Sequence, residues 1–302
     1  LPEREQWDDI FVQVMGSPDP KQIDGLGGCV SSNNKIVVVR KSSLPGVDVD
    51  YLVGQSIVGK AQIDYKSNCG NMTAATAPFA VEEGLVEHLE EPVTTVHMFN
   101  LNTNKYIDVT VPVKNGRFDN EGTCAIAGVD GTAGELTVNF LNPAGSKTGK
   151  LFPTGKAMET LSLPDGQIEA TILDVSNPIV LVRARDLGLT GTELPAQVDA
   201  NKAVSEKLEA IRGAACVKLG FARDLQAASA ISVAAAVPGT VVRETVESQD
   251  AGSVRIGHPS GVMTMFPYLD DGTRPLEEIQ VSGVAVQRTA RRIMDGRVYI
   301  QR

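Results

Sequence analysis

Apolar residues recur along this chain in two rhythms that divide it into elements. Trp7, Ile10, Phe11 and Val14 fall at three- and four-residue spacing, which predicts a helix over residues 3–15, stopped by Gly16-Ser17-Pro18-Asp19-Pro20. The β-branched run Ile36–Val39 predicts a buried strand, and the alternation of Val49, Tyr51 and Val53 predicts another, with Ile57–Ile63 a further candidate. The Ala-rich stretch Met72–Leu85 predicts a buried helix starting near Cys69, with Asn68 or Asn71 available as a cap, Pro78 as a kink or break and Gly84 as its end. From Val93 to Phe140 the period returns to two, and Asn115-Gly116 and Asp130-Gly131 are turn dipeptides, so hairpins are expected. Residues 142–155 read as a loop. Strands are expected at 167–173 and 179–184, a helix at 199–211, and strands at Val241-Val242, 253–256 and 261–266. A basic helical turn at 289–294 and a last strand at 298–300 end the series. Strands, one buried helix, then more strands and helices predict two α+β halves.

Composition narrows what such a chain does. Over 302 residues, 42% hydrophobic and 22% charged are ordinary for a folded chain of one large or two medium domains. The net charge of -9 argues against a nucleic-acid partner, which needs a basic face, but leaves room for a small anionic ligand at a locally positive site. No apolar run reaches the roughly 20 residues of a membrane span, and no signal peptide is visible at Leu1-Pro2-Glu3-Arg4. Cys29, Cys69, Cys124 and Cys216 form no CxxC pair, and His88, His97 and His258 are the only histidines, so neither a zinc site nor a disulfide framework is expected. Reduced thiols in a cytoplasmic protein fit this usage.

Several clusters compete as sites. Cys69 lies in Asn68-Cys69-Gly70-Asn71, at a predicted helix start, where oriented N–H groups favour a thiolate and a glycine lets the backbone approach an anion. Taken alone, that spacing still favours a buried structural cysteine. Lys35, just before the apolar strand, reads either as a partly buried base or as a solvated strand-end lysine. Ser32-Asn33-Asn34-Lys35 mimics the Ser-x-x-Lys of penicillin-recognising enzymes but leads into a strand instead of a long helix. Gly145-Ser146-Lys147-Thr148-Gly149-Lys150 mimics a phosphate loop, yet Ala144 and Leu151 stand where a glycine and a magnesium-binding hydroxyl are required. Gly257-His258-Pro259-Ser260-Gly261 can form an anion nest around a titratable histidine, or simply a tight turn.

Taken in order, a set of stretches carries a more specific signal. They are Gly16-Ser17-Pro18-Asp19, Gln22–Gly28, Val49-Asp50-Tyr51-Leu52, Asn68-Cys69-Gly70-Asn71, Asn142-Pro143-Ala144-Gly145, Phe152-Pro153-Thr154-Gly155, Leu187-Gly188 with Thr190-Gly191, Val237-Pro238-Gly239-Thr240, Gly257–Gly261 and Arg288-Thr289-Ala290-Arg291. With them the chain resembles the family of 2-methylaconitate cis-trans isomerase, methylitaconate Δ-isomerase and oxalomesaconate tautomerase.

The resemblance implies an α+β, diaminopimelate-epimerase-like fold. It has two pseudo-symmetric domains, each a barrel-like, mostly antiparallel sheet around a central helix, with the active site in the interdomain cleft. The halves are expected at 1–160, with 288–302 packing back onto it, and at 161–287. The resemblance further implies a strand carrying Arg-Gly-Gly-Thr-Ser-Lys-Gly ahead of this sequence, and several tens of residues between about Val233 and Ala234. It implies isomerisation of a small unsaturated di- or tricarboxylate without metal, pyridoxal phosphate or nucleotide. Lys35 stands where the family places a lysine, 34 residues before the cysteine. Proton transfer is therefore expected from Lys35 and Cys69, and substrate binding from Asn68, Gly70, Asn71, Thr148, Thr154, His258, Ser260 and Gly261. Two other readings stay open. One is an amino-acid epimerase with two thiols, for which Cys216 would have to be the second; the other is a non-catalytic carboxylate-binding protein on the same fold. A homo-oligomer is compatible with the sequence, and no membrane partner is expected.

Overall fold

In a computed structural model, residues 3–65, 68–175, 177–228, 234–236, 254–258, 261–269 and 275–301 are described. The chain divides into two compact units, Leu1–Leu141 with Ala285–Arg302, and Asn142–Val284. Among the described residues no helix is long and apolar enough to cross a membrane, and no three His, Cys, Asp or Glu side chains cluster as a metal site would require.

The first unit begins with α1, Trp7–Met15, stopped by Gly16 in the left-handed conformation at φ 73°. Strands β1 (Lys35–Lys41), β2 (Val49–Ser56) and β3 (Ile63–Asp64) follow, then α2 (Gly70–Glu82), then β4 (Val93–Asn100), β5 (Lys105–Lys114), β6 (Arg117–Phe118) and β7 (Leu136–Leu141). The sheet order is β1-β2-β4-β5-β7, with β3 on β2 and β6 on β5. Among the described strand pairs of this unit, only β2–β4 is parallel. In β4 the side chains alternate as the period of two requires: Thr94, Val96, Met98 and Asn100 are buried while Val93, Thr95 and His97 are exposed. β2 is buried on both faces: Val49, Tyr51 and Val53 lie on the face that α2 covers, and Asp50, Gly54 and Ser56 are buried on the other. That helix can lie close because its buried face is small: Ala74, Ala77 and Ala80 are at most 1% exposed. It runs unbroken through Pro78. The hydroxyls of Thr73 and Thr76 return hydrogen bonds to the carbonyls of Cys69 and Met72, at 3.1 and 2.8 Å.

The second unit contains a four-stranded sheet and a helical layer. Its strands are β8 (Glu159–Leu163), β9 (Gly166–Val175), β10 (Asn177–Leu181) and β11 (Ala234–Ala236), in the order β11-β10-β9-β8. Helices α3 (Pro195–Ala200), α4 (Lys202–Lys218) and α5 (Leu225–Ala228) follow β10 in sequence, and α4 packs on the sheet. Leu161, Ile172, Val180, Ile211, Ala215 and Cys216 form the centre of this core, each 2% exposed or less. β12 (Val254–His258) and β13 (Gly261–Leu269) pair as a hairpin, and β14 (Val281–Arg288) ends the set.

Four expectations are corrected. Residues 57–62 are a turn, not a strand: Lys60 N–H bonds Ile57 O, Ile57 N–H bonds Gln62 O, and Gly59 takes φ 76°. The helix expected at 199–211 breaks at Asn201, whose side chain caps Val204 N–H at 3.3 Å, and α4 continues to Lys218. Residues 289–294 form no helix. Arg292 is drawn instead to Glu82 and Glu83 at the end of α2, at 3.0 and 2.9 Å. Residues 298–300 form no strand; they are exposed and unladdered. Val241-Val242, the Val237–Thr240 turn and Val233 lie outside the described residues.

Candidate active site

The start of α2 is built to stay open. Cys69 is the residue before the first helical turn, with extended backbone at φ −133°, ψ 112°, and no side chain caps the helix. The first acceptor that the helix satisfies is Cys69 O, bonded by Thr73 N–H at 2.9 Å. The N–H groups of Gly70, Asn71 and Met72 have no acceptor among the described residues. The first turn carries no acidic side chain that would fill the place. Gly70 is required neither by backbone strain nor by crowding. Its φ lies outside the left-handed region, and an added Cβ would meet only Phe140 Cζ, at an ordinary 3.8 Å. Three donors at a positive helix end, with a hydrogen where a side chain would stand, can receive an anion.

Around it lie Asn68, Cys69 and Gly70, all half-buried, and Asn71, exposed. Arg288, at the end of β14 and within the first unit, donates through Nε to Asn71 Oδ1 at 3.3 Å and through Nη1 to Gln287 O at 2.8 Å. Burial pushes its guanidinium below the usual range, and the charge of a Cys69 thiolate pulls it back up. Behind Cys69 the site is polar and locked. Tyr51, fully buried on β2, shares a 2.8 Å hydrogen bond with the Thr73 hydroxyl, and burial pushes its own hydroxyl up to about 12. Asn68 Oδ1 accepts from Cys69 N–H at 2.8 Å and from Asn100 Nδ2 at 3.2 Å.

Lys35 opens β1, a strand against which α2 packs. It is half-buried, and its ammonium donates to Gln55 Oε1, its cross-strand partner. Gln55 is held in turn, its Nε2 donating to the carbonyls of Ser31, Asn34 and Ser56, each at 3.0 Å.

The remaining expected binding residues belong to the second unit. Thr148 is engaged by the buried carboxylate of Asp174, which accepts from Thr148 N–H at 2.7 Å, Thr148 Oγ1 at 2.8 Å, Lys147 N–H at 2.8 Å and Ser146 Oγ at 2.9 Å. Thr154 Oγ1 donates to Glu159 at 2.7 Å, and Lys218 pairs with the same carboxylate. His258 and Gly261 face each other at the closed end of the β12–β13 hairpin. Ser260 lies outside the described residues. Cys216, the thiol that a two-cysteine epimerase would need, is instead a core residue of α4 at 0% exposure, and burial pushes its thiol up. Sequence reasoning missed Tyr51, Asn100 and Arg288 as parts of the site. Tyr51 and Arg288 stood in stretches that carried the family resemblance, whereas Asn100 looked like an ordinary residue at a hairpin end.

Two open grooves of about 500 and 580 Å³ also mark the first unit. One is lined by Glu121, Cys124, Glu135 and Gln287 and the other by Lys41, His88 and His97; neither includes Cys69. We weight the helix start above both because it alone joins unpartnered donors, a guanidinium and a thiol.

An uncapped helix start bearing a thiol and flanked by a half-buried arginine is an arrangement that can receive a small anion beside an ionisable group. The chain belongs to the PrpF protein family, whose model matches residues 1–229 and 225–301. It is 34% identical over 355 residues to the 3-methylitaconate isomerase of Eubacterium barkeri, covering 99% of this chain and 91% of that one. It is 31% identical to the 2-methyl-aconitate isomerase of Shewanella oneidensis (97% and 88% covered). It is 33% identical to the 4-oxalomesaconate tautomerase of Pseudomonas putida (98% and 89%). A crystal structure of methylitaconate-delta-isomerase superposes with TM-score 0.79 at 32% identity, over 99% of this chain and 90% of that one. The fold is therefore the α+β fold that the resemblance implied. An alignment of 355 positions exceeds the 302 residues here, so the relative carries segments without a counterpart in this chain.

Proposed function

We propose that the protein is an isomerase that moves an allylic proton, and with it a double bond, in a small unsaturated di- or tricarboxylate of the methylitaconate, methylaconitate or oxalomesaconate type. The observation that carries the reading is Cys69 at the open start of α2, beside Arg288, in a chain that matches isomerases of this type over nearly its whole length. A base removes a proton from the carbon α or γ to a carboxylate. The charge spreads into a dienolate, and a proton returns at another carbon of the same system. Every proton removed is replaced, so the reaction is redox-neutral.

Such carbon acids are weak, and the enolate needs fixed donors aimed at its oxygens. The N–H groups of Gly70 and Asn71 and the guanidinium of Arg288 supply them in this reading, with the Asn68 amide beside them. Lys35 and Cys69 transfer the protons. The segment expected between Val233 and Ala234, and Thr148, Thr154, His258, Ser260 and Gly261 as further substrate contacts, belong to the same proposal; the family model matches in two parts that meet at 225–229, a few residues before that point.

The test is incubation in deuterium oxide with each of the three acids in turn. Deuterium entering the allylic carbon is the expected result. Absence of exchange with all three would overturn the reading.

A further inference from the structure

Three carboxamides behind the start of α2 have orientations dictated by backbone donors. A main-chain N–H can only face an oxygen, so each one identifies the oxygen of the amide it meets. Val53 N–H meets Asn102 Oδ1 at 2.8 Å, Thr103 N–H meets Asn100 Oδ1 at 2.9 Å, and Cys69 N–H meets Asn68 Oδ1 at 2.8 Å. The Thr103 hydroxyl adds a second donor to Asn100 Oδ1, also at 2.9 Å. With its oxygen so engaged, Asn100 turns its NH2 to Asn68 Oδ1 at 3.2 Å and Asn102 Oδ1 at 3.4 Å. Asn68 Oδ1 thus collects two donors, Cys69 N–H and Asn100 Nδ2, while the single Thr73 hydroxyl proton goes to the nearer Cys69 carbonyl at 3.1 Å. The Asn68 NH2, on the other side of its amide carbon, makes no hydrogen bond to a backbone group among the described residues, and the one side chain it bears on is the buried Tyr51 hydroxyl. Asn100 and Thr103 are buried, whereas Asn68 is only half-buried.

We propose that Asn100 is a positioning residue that, fixed by Thr103, holds the Asn68 carboxamide so that its NH2 is presented beside Cys69 as a donor to a substrate carboxylate. The relay sets a polarity as well as a place. Asn68 can donate to a ligand but cannot rotate to accept from one without breaking two hydrogen bonds. The site therefore selects a carboxylate oxygen over an amide or ammonium donor at that position. The identity of the ligand rests on the function proposed above; the relay itself rests on the hydrogen bonds.

The decisive variant is Asn68→Asp. It keeps an oxygen for Cys69 and Asn100 and replaces only the outward NH2. A merely structural Asn68 would be served equally well by aspartate. The expected result is an unchanged melting temperature with kcat/KM for methylitaconate lowered about ten- to a hundredfold, mostly in KM. Asn100→Asp sets an oxygen against Asn68 Oδ1. It should lower kcat/KM in the same way, and should add no further loss in an Asn68→Ala background. Thr103→Val, which removes one of the two donors to Asn100, serves if Asn100→Asp fails to fold and should move KM in the same direction. A wild-type KM in Asn68→Asp, or losses that multiply in the double variant, would overturn the proposal. If the wild-type protein turns over none of the three acids, the functional reading has failed by itself. The relay is then decided by crystal structures of Asn100→Asp or Thr103→Val: a rotated Asn68 amide supports it, and an unmoved one refutes it.

Discussion

Replacing Gly70 by alanine should stabilise the protein and damage its activity, and the two effects have separate causes. The new methyl would meet only Phe140 Cζ at 3.8 Å, and Gly70 is the first residue of α2 with φ outside the left-handed region. Alanine at a compatible position gains about 0.4–1 kcal/mol, chiefly by restricting the unfolded chain. That corresponds to a rise in Tm of about 0.6–1.6 °C in a chain of 302 residues. The same methyl stands over N–H groups that are otherwise open to an anion. A displacement of about 1 Å in a bound carboxylate is enough to cost about 10²-fold in rate. Differential scanning calorimetry gives the first number and kcat/KM for methylitaconate the second. A fall in Tm would refute the steric argument. A raised Tm with wild-type kcat/KM would refute the assignment of this helix start as the anion cradle.

Other expectations follow from individual contacts. Cys69→Ser and Lys35→Ala, made separately, should each lower kcat by about 10²-fold or more, and a variant with wild-type turnover removes its residue from the chemistry. Tyr51 ionises near 10 when unfolded and about 12 when folded, so its contribution is complete below pH 10 and is lost as pH rises toward 12. Urea titrations across that window should show Tyr51→Phe losing about 3 kcal/mol less stability than the wild type. Asp174→Asn turns an NH2 toward groups that now donate to a carboxylate. It should cost about 3 kcal/mol, read as a lowered urea midpoint, because Ser146, Lys147 and Thr148 lose an acceptor.

What could be read in advance depended on how local the cause was. β4 and β5 follow from alternation, and α2 follows from a run of alanines that only a closely packed helix can use. Residues 57–62 carried the same apolar content but not the same fate, because Gly59 allowed a turn that a backbone hydrogen bond closed. The tail at 289–294 has helical composition, yet Arg292 is drawn to two glutamates more than 200 positions earlier in the sequence. The site divides along the same line. Asn68, Cys69, Gly70 and Asn71 are contiguous and announce themselves. Asn100 and Arg288 enter through contacts spanning 32 and 217 positions, and no pattern within a window of one element marks them. Thr148 was legible as a polar loop residue; that a buried Asp174 engages both its N–H and its hydroxyl was not.

Whether Lys35 or Cys69 is the base can be decided through Gln55. The Lys35 ammonium donates to Gln55 Oε1, and Gln55 cannot turn away because its Nε2 is tied to three carbonyls. Gln55→Glu sets a carboxylate against the ammonium, and an opposite charge at contact distance favours the protonated amine by about one pKa unit or more. The base must be deprotonated in the free enzyme and the acid protonated, so the acidic limb of the kcat/KM profile belongs to the base and the alkaline limb to the acid. If Lys35 is the base, Gln55→Glu moves the acidic limb to higher pH and lowers activity near neutrality. If Lys35 is the acid, the alkaline limb moves to higher pH and activity near neutrality is retained. The variant also removes a donor from Ser31, Asn34 and Ser56, so a uniform loss of rate at every pH measures that damage alone. Only a displaced limb reports on Lys35, and a profile with neither limb displaced would exclude it from proton transfer.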